Sequence, residues 1–414
     1  MEPTPKSLRL QIGIFGRTNV GKSSFLNMIS NQDVALTSPV PGTTTDVVEK
    51  PIELLPLGPC NILDTAGIDD VSELGEKRIQ RTLKILDRAD IIILLAEPNI
   101  WTDFEEQIIA EIKKVKIPFI IAVNKTDLET PSPEFLAKLK KISKEIVLCS
   151  STDFANRDRY INDVKNALLS ITPDEKSQSL PLLGDLIMPG GLVVFIIPID
   201  LQAPKGRLIL PQVQAIRDIL DNDAVAVSVK EREYAHALTL LKNPPDLVVC
   251  DSQVVQKMIA DTPPDIKATT FSILFSRYKG DLIEEVRGAG AIDTLKAGDK
   301  VLIAEACSHH SLQDDIGRVK IPRWLRQYVG AEIQIDVSTG RDFPENLTDY
   351  KTIIHCGSCM LTRNEKLVRI RKAKQAGVPI TNYGLAISLV QGVLDRALSP
   401  FPAALDALEE SRCK

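Results

Sequence analysis

The chain lacks any apolar run long enough to cross a bilayer. The longest runs, Ile91–Ala96 and residues 192–197, fall far short of the roughly 18 to 20 residues required. Its first residues lack the basic start, long apolar stretch and small-residue cleavage site of a secretory signal. Seven cysteines in 414 residues are too few and too scattered for a disulfide framework. We therefore expect a cytoplasmic protein with reduced thiols and no membrane partner.

An excess of charge of one sign is also lacking. The 50 basic and 55 acidic residues give a net charge of −5, which provides no global field for gathering nucleic acid. We therefore expect no nucleic-acid partner. Histidine is scarce, with four residues in the chain, yet His309, His310 and His355 lie within three residues of Cys307 or Cys356. This clustering marks one stretch of the chain as a candidate site.

The composition that is present is typical of globular α/β proteins. Apolar residues make up 44% of the chain and charged residues 25%, and a length of 414 residues suggests two or three domains at roughly 150 residues each. Between residues 8 and 172, short apolar runs alternate with helix-like stretches. The strands predicted there are residues 10–15, 60–63, 91–95, 118–123 and 145–149. Continuous apolar strands between helices predict a parallel sheet covered on both faces.

The rest of the chain repeats this alternation in two smaller blocks. Residues 172–191 are rich in Pro, Gly, Ser and charge, which is typical of a linker, and the pattern becomes irregular around residues 269–281. The strands predicted beyond the linker are residues 192–199, 225–229, 247–251, 300–305, 332–337, 352–355 and 379–381. We expect an α/β protein of three domains, which are residues 1–172, 173–275 and 276–414.

A phosphate-binding loop follows the first predicted strand. Residues 16–23 read Gly-Arg-Thr-Asn-Val-Gly-Lys-Ser, a complete G-x4-G-K-[ST] pattern, and lead into a helix-like stretch. Such a loop directs backbone N–H groups at phosphate oxygens, and the helix N-terminus adds positive potential. We expect Lys22 to reach the β- and γ-phosphates and the Ser23 hydroxyl to ligate Mg²⁺.

Three further elements indicate a guanine nucleotide. Asp64-Thr-Ala-Gly67 places a carboxylate near the Mg²⁺ shell and a glycine N–H near the γ-phosphate. Asn124-Lys125-Thr-Asp127 ends a predicted strand, where a carboxylate can accept both N1–H and N2–H of guanine, a pair that adenine does not offer. The third element is the threonine-rich segment of residues 42–46.

With these motifs the first block resembles a GTPase of the translation-factor type. Residues 42–46, Gly-Thr-Thr-Thr-Asp, resemble the switch-I G-T-T-R-D motif of the tRNA-modification GTPases, which implies that Thr44 contacts Mg²⁺. Thr45 replaces the arginine of that motif, and Ser150 and Ser151 stand where a Ser-Ala-Lys purine-contacting motif is expected. The residues expected to bind nucleotide are Gly16, Asn19, Gly21, Lys22, Ser23, Ser24, Thr43, Thr44, Asp64, Gly67, Asn124, Lys125, Asp127, Ser150 and Ser151. Those expected to act in catalysis are Asn19, Lys22, Thr44, Asp64 and Gly67.

The catalytic machinery is expected to depend on potassium. Ile68 stands where Ras-like enzymes place a water-orienting glutamine, so intrinsic hydrolysis should be slow. Asn19 matches the loop asparagine that, in the tRNA-modification subgroup, ligates a K⁺ ion. By this resemblance K⁺ neutralises transition-state charge in place of an arginine finger, and we expect K⁺-stimulated GTP hydrolysis.

Three cysteines follow two predicted strands of the last block. Cys307 comes after residues 300–305, while Cys356 and Cys359 form a C-x2-C pair after residues 352–355. If those strands are parallel neighbours, the three thiols converge at their C-terminal ends. A basic helix-like stretch, residues 363–374, begins just beyond the pair and should lower the thiol pKa values through its dipole and charge. We interpret the rest of that stretch as a solvated helix face, with docking of acidic partners as the alternative.

This constellation has three interpretations from its chemistry. The cysteines can be reduced structural residues, ligands of zinc, or ligands of an iron–sulfur cluster, and the spacing does not separate zinc from iron. Glu305, Cys307 and His309 are spaced by two, so an extended segment puts all three on one side. Glu305 or His309 is therefore favoured as the fourth ligand. His355 is less favoured because it adjoins Cys356, and His310 is expected to play a supporting or solvent-facing role.

Taken together, the GTPase motifs, the middle αβ block and the C-x-H…H-C-x-x-C arrangement resemble the HydF family of FeFe-hydrogenase maturation GTPases. Residues 202–213, 316–324 and 381–384 also resemble that family. The resemblance implies a scaffold with a dimerising middle domain and a 4Fe–4S cluster held by Cys307, Cys356 and Cys359. It further implies an exchangeable fourth iron position that receives a transient di-iron precursor of the hydrogenase active site.

The partners that this resemblance implies are a second copy of the chain in a homodimer or higher oligomer, the radical-SAM maturases and the apo-hydrogenase. The implied cofactors are GTP, Mg²⁺, K⁺ and the 4Fe–4S cluster. The alternative is a zinc-stabilised, K⁺-activated GTPase that acts in tRNA modification or ribosome assembly.

Overall fold

The computed structural model describes residues 5–30, 48–64, 84–172, 181–199, 206, 208–306, 315–340, 343–344 and 346–412. The chain divides into two compact units, residues 1–179 and 180–414. None of the helices in the described ranges has both the length and the apolar character that crossing a bilayer requires.

The first unit contains a six-stranded sheet. Its strands are β1 (Leu10–Phe15), β2 (Val48–Leu54), β3 (Gly58–Asp64), β4 (Ile91–Ala96), β5 (Phe119–Val123) and β6 (Ile146–Leu148). Their order across the sheet is β2-β3-β1-β4-β5-β6, and all pairs except β2–β3 are parallel. The predicted parallel sheet is confirmed. The apolar runs that predicted it form the interior strands β1, β3, β4 and β5 and the edge strand β6.

Helices cover both faces of this sheet. They include α1 (Lys22–Ser30), α2 (Asp103–Val115), α3 (Pro133–Ile142) and α4 (Arg157–Ile171). Side chains alternate along β1, so Ile12 and Ile14 join one core cluster while Phe15 joins the cluster on the other face. Both faces are therefore buried, which explains why the strands are continuously apolar.

The antiparallel edge strand β2 was not predicted. Its sequence, VEKPIEL, lacks a continuous apolar run and contains Pro51, a residue that sheets accept mainly at their edges. It pairs with β3 from Val48 opposite Asp64 to Leu54 opposite Gly58. Strand β2 is thus an edge element, whose position is fixed by the neighbouring strand rather than by its own apolar pattern.

The second unit begins with a four-stranded parallel sheet. Its strands are β7 (Leu192–Ile196), β8 (Val225–Val229), β9 (Leu247–Cys250) and β10 (Lys267–Thr270), in the order β10-β9-β7-β8. The connecting helices are α5 (Leu210–Asp221), α6 (Tyr234–Leu240) and α7 (Val255–Asp261). Strand β8 is an edge strand, and Val225 at its start is 50% exposed.

A second four-stranded parallel sheet follows in the same unit. Its strands are β11 (Lys300–Ala304), β12 (Gln334–Ser338), β13 (Thr352–His355) and β14 (Ile380–Asn382), in the order β12-β11-β13-β14. Its helices include α9 (Leu282–Gly290), α10 (Ile321–Val329), α11 (Arg363–Gln375), α12 (Tyr383–Val390), α13 (Leu394–Ala397) and α14 (Pro402–Arg412), and a π-helical turn spans Ile316–Lys320.

The segment that looked irregular in the sequence, residues 269–281, contains the end of β10 and a regular helix, α8 (Phe271–Lys279). The expectation of irregularity was wrong because this helix is buried on several sides and so has no polar face to create an amphipathic period. Phe275 on it belongs to one core cluster together with Phe195 of the first small sheet and Ile303 of the second. The predicted domain boundary after residue 275 falls inside α8, and the three-domain division stays a prediction.

Candidate functional site

The phosphate loop joins β1 to α1 in the order that its motif predicts. Gly21 has φ +96°, and a Cβ atom there would lie 2.5 Å from Nδ2 of Asn124, so glycine is required at this position. Nζ of Lys22 donates to the carbonyl oxygens of Gly16, at 2.6 Å, and Arg17, at 3.0 Å. The ammonium group therefore lies over the loop. Ser23 and Ser24 are exposed in the first turn of α1, where helix N–H groups attract phosphate.

Asn124 connects three loops of the nucleotide site. It is buried, its Nδ2 donates to the carbonyl oxygen of Val20 at 2.9 Å, and its Oδ1 accepts from the N and Oγ of Ser151 at 3.0 and 2.9 Å. Ser150 is buried and its Oγ accepts from the amide of Asp153 at 3.2 Å. Both predicted serines thus hold the loop after β6 in shape through these side-chain contacts.

Asp127 remains available for a ligand. It is exposed, and its Oδ2 accepts one long hydrogen bond, 3.4 Å, from the hydroxyl of Thr152. Lys125 precedes it with φ 63° and forms an ion pair with Glu97. The carboxylate of Asp127 therefore has the acceptor capacity that guanine N1–H and N2–H require.

Two glutamates, Glu97 and Glu105, form ion pairs with Arg17 of the phosphate loop and were not predicted from the sequence. Nε of Arg17 lies 2.6 Å from Oε1 of Glu105, and its Nη2 lies 3.2 Å from Oε2 of Glu97. Glu105 is fully buried and also closes the capping box of α2 with Thr102. Because Glu97 also pairs with Lys125, it links the phosphate loop to the guanine-recognition loop. Motif spacing contains no signal for this link, since Arg17 and Glu97 are 80 residues apart.

Several predicted nucleotide contacts lie outside the described residues. These are Thr43, Thr44, Gly67 and the neighbouring Ile68. Asp64 is the last residue of β3 and pairs in register with Ile14 of β1, so its backbone lies one position before the end of that strand. Asn19 has φ 65°, a left-handed conformation that asparagine tolerates better than most residues.

The loop that contains Cys356 and Cys359, residues 356–362, begins where β13 ends and is called the cysteine loop below. Strands β11 and β13 are parallel neighbours, with Ala304 opposite His355, as the convergence of the thiols required. Cys307 lies outside the described residues, as do His309 and His310, but the amide of Ala306 donates to Sγ of Cys356 at 3.2 Å. Ala306, which directly precedes Cys307 in the sequence, is therefore in contact with Cys356.

His355 uses both of its ring nitrogens within the protein. Nη1 of Arg369 lies 2.8 Å from its Nε2, and its Nδ1 lies 2.7 Å from the carbonyl oxygen of Cys356 and 2.9 Å from Oγ of Ser358. Burial, followed by the charge of Arg369, holds the pKa of His355 well below its usual value. A neutral ring with its proton on Nδ1 satisfies these contacts, because Arg369 can only donate. This geometry favours a supporting role for His355.

The thiols have higher pKa values than the sequence suggested. Burial raises the pKa of Cys356, and the Glu305 carboxylate raises it further, while burial and then Cys356 raise the pKa of Cys359. The expected lowering by the helix dipole and basic stretch was wrong because loss of hydration outweighs those charges. The interpretation of residues 363–374 as a solvated face was also incomplete, since Lys366 and Arg369 are buried.

Glu305, a candidate fourth ligand, is 3% exposed. Its Oε2 lies 3.1 Å from Nη2 and 3.2 Å from Nε of Arg318, and Oη of Tyr383 donates to Oε1 at 3.4 Å. Ligation by Glu305 would therefore compete with an ion pair. The alternative candidate, His309, is not described.

A cavity of about 160 Å³ opens beside the cysteine loop within the second unit. Its lining includes Gly357, Cys359, Ser272, Gln253 and Tyr383. Among the described residues no three His, Cys, Asp or Glu side chains are grouped to hold a metal ion. The donor chemistry nevertheless fits an iron–sulfur group, because Cys356 and Cys359 are free cysteines of one short loop and neither residue is fully buried.

Family models match most of the chain. Residues 284–400 match the "Hydrogen maturase F tetramerization domain", residues 182–280 match the "Hydrogen maturase F dimerization domain", and residues 11–125 match the "50S ribosome-binding GTPase" model. The described structure of the first unit, with its phosphate loop between β1 and α1, agrees with the GTPase match.

Curated relatives match a smaller part. The tRNA modification GTPase MnmE of Prochlorococcus marinus (strain NATL1A) is 37% identical over 156 residues, which is 37% of this chain and 33% of the relative. The protein of the same name from Synechococcus sp. (strain JA-3-3Ab) is 42% identical over 124 residues, 29% of this chain and 26% of the relative. The chain thus spans about a third of the length of these relatives or less, and the similarity is confined to the GTPase domain.

Among solved structures, Aquifex aeolicus Era bound to GDP·AlF4⁻ is 21% identical and aligns over 56% of this chain and 98% of its own. The TM-score of 0.32 is too low to support a conclusion about this chain.

Proposed function

The chain belongs to the hydrogen maturase F family, HydF, and we propose that it is a scaffold that couples GTP hydrolysis to the assembly of a hydrogenase metal site. In this proposal it holds a 4Fe–4S cluster, receives a di-iron precursor and delivers it to the apo-hydrogenase. Radical-SAM maturases supply the precursor. The GTPase activity follows from the domain itself, which binds GTP and Mg²⁺ and hydrolyses GTP to GDP and phosphate.

One observation carries the scaffold proposal. The amide of Ala306 contacts the thiol sulfur of Cys356, so the segment that continues to Cys307 starts beside the C-x2-C pair. Three cysteines on two adjacent strand ends can supply the three thiolates of a cubane cluster and leave one iron with a weaker ligand. A bound cluster supplies that iron as an attachment point for the precursor.

In the proposed scaffold, the residues around the cluster have different roles. Cys307, Cys356 and Cys359 would hold the cluster, and Glu305 or His309 would occupy the fourth position until it is displaced. A carboxylate or imidazole ligand suits exchange because it binds iron–sulfur iron less strongly than a thiolate does. His355 orients the loop through its contacts with Ser358 and Arg369.

On the GTPase side, Lys22 and the loop amides would bind the β- and γ-phosphates, Ser23 and Thr44 would ligate Mg²⁺, and Asp127 would select guanine. The absence of a glutamine at Ile68 leaves charge neutralisation to K⁺ at Asn19. Hydrolysis is therefore expected to be slow without that ion.

Potassium dependence is the first testable consequence. We expect GTP hydrolysis in KCl to exceed that in NaCl of equal ionic strength by about tenfold or more, a barrier difference of at least ~1.4 kcal/mol. Phosphate release with saturating GTP measures the two rates. The Asn19→Gly variant keeps the left-handed backbone available but removes the amide oxygen, so its rates in the two salts should be equal. Equal rates in the wild-type chain would rule out the K⁺ site.

Anaerobic reconstitution tests the scaffold itself. The full chain, supplied with ferrous iron and sulfide, should become brown and give the EPR signal of a reduced 4Fe–4S cluster after treatment with dithionite. Cys356→Ser and Cys359→Ser should lose the colour and most of the bound iron. Cys250→Ala is the matched control, because Cys250 is a buried thiol of the same unit in strand β9.

A colourless chain with stoichiometric zinc would instead favour the alternative, a K⁺-activated GTPase in tRNA modification or ribosome assembly. The 37% identity to MnmE favours that alternative only for the first unit. The matches of residues 182–280 and 284–400 to HydF domains favour the maturation function, because they cover most of the second unit.

The family matches also support self-association of the chain. We propose that the dimer contact involves the exposed edge strand β8, whose backbone has one neighbour in its described sheet. Its first residue, Val225, is half exposed, as is Leu220 in the preceding helix. A second copy is the expected occupant of this edge.

A further inference from the structure

The cysteine loop rests on a buried lysine from the neighbouring helix. Lys279, the last residue of α8, is 1% exposed. Its Nζ donates to the carbonyl oxygens of Cys359, at 3.1 Å, and Leu361, at 2.9 Å, and lies 5.6 Å from the centre of the Phe275 ring. These contacts fix the backbone on the C-terminal side of the C-x2-C pair.

This ammonium has no ion pair with a carboxylate in the described part of the chain. The Glu365 carboxylate acts on it only from beyond ion-pair distance, and its Oε2 accepts from the amide of Thr362 at 2.8 Å. The acceptors in direct contact with this amine are thus two neutral carbonyl oxygens.

Lys366, a second buried lysine close by, has the partner that Lys279 lacks. Its Nζ lies 2.8 Å from Oε1 of Glu285, and both side chains are almost fully buried. Glu285 also accepts from Nδ2 of Asn382 at 2.8 Å and from the hydroxyl of Ser276, both at its other oxygen, Oε2. The carboxylate of Glu285 therefore balances Lys366 and not Lys279.

A buried ammonium without an anion is costly, so a partner of negative charge is expected near it. Lys279 contacts the backbone of Cys359, whose side chain is an acidic thiol. A 4Fe–4S cluster with a 2+ core and three thiolate ligands carries one net negative charge. We infer that Lys279 is the counter-charge of an anionic iron–sulfur centre at Cys359 and raises the reduction potential of that centre. This inference rests on the proposed scaffold function.

The direction of the effect follows from electrostatics. Reduction of the cluster by one electron adds a negative charge, and a fixed cation stabilises the reduced form more than the oxidised form. Loss of the cation should therefore lower the potential. A purely structural lysine would act through its hydrogen bonds to Cys359 and Leu361, which a neutral donor can partly replace.

The test uses the full chain reconstituted with iron and sulfide. Lys279→Gln keeps a donor without the charge, Lys279→Met removes both, and Lys279→Arg keeps the charge. Arg277→Gln is the matched control. It removes a positive charge from the same helix, at a residue that forms an ion pair with Asp185. Dithionite titration followed by EPR gives the midpoint potential, and iron content and thermal unfolding are measured on each variant.

At a fixed potential we expect Lys279→Gln and Lys279→Met to lower the ratio of reduced to oxidised cluster about tenfold, which for one electron corresponds to ~59 mV. Lys279→Arg and Arg277→Gln should match the wild type. Loss of iron in Lys279→Gln but not in Lys279→Arg, at unchanged thermal unfolding, would also support the counter-charge.

Two results would overturn the inference while leaving the scaffold function intact. One is a wild-type potential in Lys279→Gln, and the other is an equal loss of iron in Lys279→Gln and Lys279→Arg. If Lys279→Met does not fold, the comparison of the Gln and Arg variants decides. A wild-type chain that holds no cluster would contradict the proposed function instead.

Discussion

Asp127→Asn is expected to lower the affinity for GTP by roughly 10²- to 10⁴-fold and to give the chain affinity for xanthosine triphosphate. The carboxylate accepts two hydrogen bonds from guanine, each worth about 1.5 to 3 kcal/mol because the acceptor is charged. Asparagine presents an amide N–H₂ toward the donor edge of guanine but can pair with the additional carbonyl oxygen of xanthine. Titration with fluorescent analogues of both nucleotides measures the change.

The structure limits what else this substitution disturbs. Asp127 is exposed, and within the described part of the chain its carboxylate accepts only the long hydrogen bond from Thr152, so the loop itself should keep its fold. Asp163→Asn is the matched control, since Asp163 is an exposed aspartate of the same unit whose ion pair is with Arg159 in the preceding turn of α4. Unchanged GTP affinity in Asp127→Asn would show that this loop does not bind the base.

The sequence predicted the elements whose signal is local. The phosphate loop lies between β1 and α1 because its glycines and the adjoining apolar run specify strand, turn and helix within about twenty residues. The parallel pairing of β11 and β13 was only a condition for the convergence of the thiols, and the structure meets that condition. Strand ends differ by one to three residues from prediction, as for β4, which extends to Ala96, and β7, which ends at Ile196.

What escaped prediction depends on residues that are distant in sequence. Helix α8 has no amphipathic period because both small sheets pack around it, so its apolar residues look like an irregular stretch. Glu97 links Arg17 to Lys125 only after the sheet brings the ends of β1, β4 and β5 together. No spacing rule could identify that contact.

The pKa values of the thiols in the cysteine loop could not be predicted from the sequence either. The basic residues 363–374 predicted lowered thiol pKa values. The sequence shows the charges of these residues but not how deeply they and the thiols are buried. Two of the cations, Lys366 and Arg369, face inward, and burial raises the pKa of Cys356 above its ordinary value. The sequence therefore identified the candidate ligands, while their environment could only come from the three-dimensional structure.

The buried ion pair between α9 and α11 is expected to have the largest effect on stability. Glu285→Ala leaves the ammonium of Lys366 buried without an anion and should lower the free energy of unfolding of the second unit by about 3 to 5 kcal/mol. Urea titration in a Trp101→Phe background measures this change, because Trp324 is then the sole tryptophan and lies in the second unit.

The same two helices provide the control. Lys374 lies 3.0 Å from Glu284 on the exposed side, with 67% of the lysine side chain accessible, so Lys374→Met should cost no more than ~0.5 kcal/mol. The double variant Glu285→Leu/Lys366→Met removes both buried charges and should recover most of the stability lost in Glu285→Ala, since apolar groups of similar volume can replace a buried pair. Equal costs for Glu285→Ala and Lys374→Met would show that burial does not govern this interface. A double variant no more stable than Glu285→Ala would instead show that Glu285 acts through Ser276 and Asn382 rather than through Lys366.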